Sequence, residues 1–266
     1  MNQLNELIQQ AKLSEAIDFL AGELQQKPQD LDLRSSFIEL LCIDGQLERA
    51  DKQLNVIIKQ HPQCLAGATN IRQLVRAAQS RIDFSQGAAT ASLVKEADEA
   101  FASLLKMRLA RKENDMSLLV ESAEKLEEAR QDSVVTVGGQ QRERLRDLDD
   151  SLAGFLELFG TNGEYYLVPV DAVIRMEMQP VSSLIELVWR RVNIEIEGGL
   201  VGEAFVPMTY LDSENEAQKL GRETDWEAVG GTELCVGLGL KMFLFGEEAL
   251  TMSQMTSLEK HATTMV

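Results

Sequence analysis

The sequence predicts an α+β protein: an N-terminal all-α, tetratricopeptide-like helical repeat domain over residues 1–140, then a smaller, acidic, β-rich α+β domain over 141–250. Three observations predict it. A 34-residue period runs through the first part of the chain, apolar spacing changes from helical to alternating near residue 152, and charge shifts sharply at about the same place. With 266 residues, 44% of them apolar, the chain is long enough for two domains and apolar enough to bury a core.

The period comes first. Residues 11–28 align with 45–62: Leu13 falls on Leu47, Ala16 on Ala50, Leu20 on Leu54, Leu24 on Ile58 and Pro28 on Pro62. The apolar matches lie three or four residues apart, on one helix face. Ala16 and Ala50 are small where paired helices approach closely, and each Pro ends its unit because it cannot continue the preceding helix. Asp44-Gly45 supplies a turn. A helix pair per 34 residues is the tetratricopeptide signature.

Amphipathic helices continue beyond Pro62. Ile71, Leu74, Val75 and Ala78 form one stripe; Leu93, Ala97, Phe101, Leu104 and Leu105 a second; Met116, Leu119, Val120, Ala123 and Leu126 a third. Ser85-Gln86-Gly87 separates the first two and Asn114-Asp115 opens the third. About seven helices are expected through residue 131.

In the second half, Asn162-Gly163 and Gly198-Gly199 mark two hairpins, the latter between Val192–Ile196 and Val201–Val206. Ser183 and Glu186 are spaced as a capping box for a short helix leading to Trp189. Lys241–Phe245 reads as the last strand, and residues 251–266 as a frayed polar tail.

The net charge of −17 argues against nucleic acid as a partner. Residues 147–266 hold 21 acidic and 7 basic residues. Cys42, Cys64 and Cys235 are sparse and sit in apolar runs, as buried thiols in a reducing compartment do. No apolar stretch is long enough to insert in a membrane and no signal peptide opens the chain, so a cytoplasmic protein is expected.

Catalytic sets are hard to assemble. The two histidines, His61 and His261, sit beside a repeat-ending Pro and in the expected tail. Gly237-Leu238-Gly239 lacks the third glycine of a dinucleotide turn, and there is no zinc spacing or phosphate loop. No cofactor is expected. Asp147, Asp149 and Asp150 read as a solvated charge run, with a divalent-metal hydrolase as the alternative. Lys106, Arg108, Arg111 and Lys112 read as the polar face of a helix rather than an anion site. Tyr165, Tyr166, Trp189 with Arg190, Tyr210 and Trp226 are the candidate partner-contact residues, with a core role as the plainer reading for the tryptophans and one of the adjacent tyrosines expected to face outward.

Five phrases in this half exceed what strand propensity requires. They are Tyr165-Tyr166-Leu167-Val168-Pro169; Pro180 followed by Leu184 and Leu187-Val188-Trp189-Arg190; Gly202 through Tyr210; Leu220 through Trp226; and Gly237 through Gly246. In that order the chain resembles the ImpE family, also called TagJ or SciE-type, accessory proteins of bacterial type VI secretion systems. It departs from the usual family pattern at Tyr166-Leu167 and Met208-Thr209. The resemblance implies a helical part joined to a β-containing part in a cytoplasmic, non-enzymatic adaptor. Such an adaptor binds the small subunit of the contractile sheath through an N-terminal helix of that subunit, and thereby connects to sheath disassembly by the ClpV-type AAA+ ATPase. A self-associating structural scaffold is the further alternative.

Overall fold

The computed structural model describes residues 2–131 and 133–261. Helices α1 (Asn2–Gln9), α2 (Leu13–Gln26), α3 (Leu31–Ile43), α4 (Leu47–Gln60) and α5 (Leu65–Ser85) stack in chain order. The 34-residue period is reproduced in the helix bounds, since α2 and α4 are both 14 residues long and begin at Leu13 and Leu47. Ala16 and Ala50 are fully buried. Asp30 starts α3 by accepting a hydrogen bond from the Leu33 amide. Gly45, with φ of +84°, makes the turn into α4.

The short strand β1 (Ser92–Leu93) then precedes a hairpin of α6 (Glu99–Glu113) and α7 (Met116–Ala129). Asp98 and Asp115 cap the two helices through the Phe101 and Leu118 amides. Seven α-helices thus precede residue 130 among the described residues, as expected. Leu105 departs from its expected stripe: it is exposed, while Phe101, Leu104 and Met107 carry the buried face.

Strands follow: β2 (Val134–Val137), β3 (Gln140–Glu143), β4 (Leu145–Asp147), β5 (Phe155–Gly160), β6 (Tyr165–Pro169), β7 (Val173–Met178), β8 (Trp189–Ile196) and β9 (Val201–Pro207). After the single-turn α8 (Glu216–Lys219) come β10 (Thr224–Ala228), β11 (Cys235–Gly239), β12 (Met242–Phe245), β13 (Glu248–Thr251) and β14 (Ser257–Lys260). The large sheet runs β1-β6-β5-β9-β8-β7-β14-β2-β3; β13-β12-β4 and the ribbon β10-β11 are separate. Both expected hairpins form, as β5-β6 and β8-β9.

Residue alternation in β5 and β6 explains how the large sheet is buried on both sides. Phe155, Phe159, Tyr165 and Leu167 join an apolar core that continues through the helices to Leu4. Leu156, Leu158, Tyr166 and Val168 join a second core with Phe243, Phe245 and Leu258. Tyr165 and Tyr166 do point to opposite faces, but neither faces solvent, because both faces are covered. The Tyr166 hydroxyl still finds polar partners at the turn, donating to Glu164 and accepting from Asn162.

The two halves are pinned by side chains placed on helix ends. Glu216 accepts from the Leu13 and Ser14 amides at the start of α2 (2.8 and 3.0 Å), where the helix dipole favours an anion. Lys219 lies 2.8 Å from Asp44 at the end of α3. Glu39 of α3 accepts in return from the Leu184 and Ile185 amides. That exchange holds a 3₁₀ turn at Ile185–Leu187, which replaces the expected helix; Glu186 is bonded by Ser182 rather than Ser183.

The largest departure concerns the expected tail. Residues 251–260 are ordered: Met252 and Met255 are buried, and β14 lies inside the large sheet, paired with β7 on one side and β2 on the other. Residues 262–266 lie outside the described residues. Deleting residues 256–266 is expected to separate β2-β3 from the sheet and expose the second core. Urea denaturation checks this, with a fall of several kcal/mol or loss of the cooperative transition; Leu258→Ala alone is expected to cost about 2–4 kcal/mol.

Candidate functional site

Charged side chains from three separate elements meet at the seam between helices and sheet. Arg81 comes from α5, Glu157 from the helix-facing side of β5, and Lys241 from the residue before β12; all are buried. Arg81 Nε and Nη2 donate to the two Glu157 oxygens at 2.8 and 2.6 Å, the bidentate fork that suits guanidinium to carboxylate. Lys241 Nζ sits 2.7 Å from Glu157 and 3.4 Å from Asp147. The Tyr165 hydroxyl donates to Glu157, and that of Tyr210 to Asp147, each at 2.7 Å.

The acidic run continues this network instead of facing water. Asp147 and Asp149 are buried. Asp149 accepts from the Ser151 amide and hydroxyl and from the Gly237 amide. Asp150 pairs with Arg146 at 2.6 Å and accepts from the Cys235 amide. The expectation of a solvated run fails because these oxygens find a full set of internal donors that repays their dehydration. Among the described residues, no group of three His, Cys, Asp or Glu side chains is arranged to hold a metal ion.

The electrostatics follow from the partners. Burial alone would raise the Glu157 carboxyl, but Arg81 and Lys241 outweigh it and hold Glu157 well below the usual carboxylate range. For Asp147 burial prevails over the more distant Lys241, and Asp149 adds to it, pushing the carboxyl up to about 6. Burial and then Asp147 raise the Tyr210 hydroxyl, which stays protonated as a donor.

Gly237 shows what the glycine pair in its phrase is for. It lies in β11, where its amide reaches Asp149 and a Cβ would overlap the Tyr210 ring. Close approach of ring to backbone is therefore the requirement, not a phosphate turn.

A cavity of about 620 Å³ opens beside the network, walled by α5, α6, α7 and the loops around 149–152, 210–214 and 227–237. Arg108, Arg111 and Lys112 from α6 line it. This part of the basic cluster thus faces a cavity shared with Asp149, Glu157 and Asp212, rather than open solvent alone. Arg108 lies over the Phe84 ring, 4.4 Å from its centroid, and Arg111 pairs with Asp212 at 3.0 Å.

The six aromatic and basic residues singled out from the sequence are distributed unevenly. Tyr165, Tyr166, Trp189 and Tyr210 are interior. Trp189 packs edge-on against Phe159, and Arg190 donates from Nε to the Glu186 carbonyl. Trp226, on the outer strand β10, is 37% exposed and leans edge-on against Tyr210. Arg81, Glu157 and Lys241 were not singled out. Glu157 and Lys241 carry a signal, each being a charge embedded in an apolar stretch, clearest in Phe155-Leu156-Glu157-Leu158-Phe159; Arg81, flanked by Gln79, Ser80 and Asp83, carries none.

The fold and its buried seam define a helical-repeat protein whose repeat is docked onto a mostly antiparallel sheet. Residues 139–259, most of the β-rich part, match the family model described as ImpE protein. It is 27% identical over 252 residues to the type VI secretion system accessory component TagJ of Pseudomonas aeruginosa, covering 92% of this chain and 87% of that one. The crystal structure of protein VPA1032 from Vibrio parahaemolyticus superposes with a TM-score of 0.95 at 43% identity, covering 98% of each chain.

Two outcomes follow from the network. Glu157→Gln leaves buried Arg81 without its anion and Lys241 with only the more distant Asp147, and is expected to lower unfolding stability by about 3–5 kcal/mol in urea, whereas breaking the exposed Lys52–Glu48 pair is expected to have no measurable effect. The second concerns pH. The raised Asp147 carboxyl means the folded form holds this proton at pH values where the unfolded chain has lost it. Its stabilisation is present below about pH 4 and is lost as pH rises through 6. Relative to Asp147→Asn, the native protein is expected to lose about 3 kcal/mol between pH 4 and 7 and nothing further above 7, measured by denaturation at fixed salt.

Proposed function

We propose that this chain is a non-enzymatic accessory component of a bacterial type VI secretion system, acting in the cytoplasm. It binds the small subunit of the contractile sheath through an N-terminal helix of that subunit, and so bears on sheath disassembly by the ClpV-type AAA+ ATPase. The observation that carries this reading is the similarity to the accessory component TagJ, which extends across the helical part as well as the β part. Stacked helix pairs support it physically, since such stacks present long preformed faces to peptides, and an amphipathic helix offers apolar residues at i, i+3, i+4 and i+7 to such a face.

The turn edge of the repeat at Leu13 and Asp44 is already taken by Glu216 and Lys219. The helix faces away from α8 are therefore the ones offered to a partner. Of the six partner-contact candidates, Trp226 has the most accessible large apolar face, and Arg190, next to Trp189 in the chain, is half-buried. Tyr165, Tyr166, Trp189 and Tyr210 would act by holding the framework beneath that surface. The acidic second half would steer a basic partner surface, an effect that salt weakens.

Capture of the purified sheath small subunit by this protein tests the proposal. The full-length subunit is expected to be retained and a version lacking its N-terminal helix lost, while equal capture of the two forms would overturn helix recognition. Trp226→Ala is expected to weaken capture at least about tenfold, near the 1.4 kcal/mol of a modest interface anchor, with the thermal transition unchanged.

A further inference from the structure

We propose that the cavity between α5–α7 and the β10-β11 ribbon is a binding site for a small amphipathic organic anion, a carboxylate or phosphate monoester attached to a compact apolar body. Its volume of about 620 Å³ falls within the range of small-molecule sites. It is independent of the sheath-binding reading, and neither stands on the other.

The charge accounting of the walls points to the anion. Most of the ionic groups there are already matched inside the protein. Arg81 is held by Glu157, Asp149 by Ser151 and Gly237, and Arg111 by Asp212. Arg108 is not matched. Among the described residues it makes no hydrogen bond and no ion pair, and its Nε is sealed from solvent without a partner. Its guanidinium rests on the Phe84 ring, which fixes the plane of the fork.

The sealed Nε keeps water off one edge of the guanidinium, and the Nη donors, which are not sealed and have no protein acceptor, are the ones an anion in the cavity would accept from. Lys112 stands one helical step further along α6 and spends one bond on the Gln86 carbonyl, leaving donors for the same ligand.

The opposite character of the remaining wall gives the ligand its body. Met107, Leu119, Leu152, Val229 and Val236 all line the cavity. Glu214 and Glu227, both exposed, line it as well. Carboxylates at solvent-facing positions disfavour polyanions and leave a ligand with one compact anionic head to reach Arg108. The ligand class is therefore a small acid with one charged end, in contrast to nucleotides with extended phosphate chains.

Isothermal titration calorimetry on the full chain tests the assignment with benzoate and phenyl phosphate as probes. Inorganic phosphate serves as the head without the body, and phenol as the body without the head. Saturable binding of benzoate or phenyl phosphate is expected, stronger than either control, and the better of the two identifies the head group. Arg108→Gln is expected to weaken it at least about tenfold, equivalent to 1.4 kcal/mol. Failure of both probes to bind at millimolar concentration would overturn the proposal, as would equal affinity of Arg108→Gln and the native protein. Should Arg108→Gln not fold, Lys112→Gln decides instead: a severalfold loss supports the site and unchanged affinity overturns it.

Discussion

The ionic junction of Arg81, Glu157 and Lys241 is the constraint around which the two halves are arranged. Glu157 sits in the middle of a strand whose flanking residues all enter apolar cores. Such a carboxylate is tolerable only if cations arrive from both neighbouring layers, and they do, one from α5 and one from the chain entering β12. Removing either layer would strand the charge. The helical repeat and the sheet are thus mutually required, and the apolar core that runs from Leu4 to Val236 without a break at residue 130 is consistent with that dependence.

Around the junction the polar groups are satisfied in relays. Tyr165 serves Glu157, Tyr210 serves Asp147, and Asp149 gathers the loop amides that lead to Gly237. Each relay fixes a loop whose own sequence has little apolar content, including the 147–152 turn. Specificity of packing is the physical role of such networks, because a misdocked layer would leave several buried groups unpaired at once. The same relays commit the acidic oxygens to structural partners, which is the geometric reason the acidic run does not resemble a hydrolytic centre.

Much of the fold was legible in the sequence because its determinants are local. The 34-residue offset recurs between the starts of α2 and α4, and Asn162-Gly163 and Gly198-Gly199 mark both hairpins. What was not legible is non-local. Ser257-Leu258-Glu259-Lys260 carries a single apolar residue, and its strand character comes from β7 and β2 on either side. Alternation implies one outward tyrosine of the Tyr165-Tyr166 pair only if one face of the sheet is wet, whereas a second core covers the face that Tyr166 occupies. For the site, Glu157 and Lys241 were visible as isolated charges in apolar runs, but their meeting depends on three elements distant in sequence. Arg108 read as one of four solvated cations; only the folded wall opposite it distinguishes it from Lys106.

The interior position of β14 has a bearing on biosynthesis. During translation the β2-β3 hairpin emerges well before the strand that ties it to β7, so on the ribosome it must wait unattached while some hundred further residues are made, at the usual elongation rate of roughly 5–20 residues per second. Through that interval β7 and β2 each present an open ladder edge, a state prone to pairing with the wrong chain. The charged residues that β7 carries, Arg175 and Glu177, lie on its exposed face and would discourage such encounters until Ser257–Lys260 slots in and zips the sheet shut.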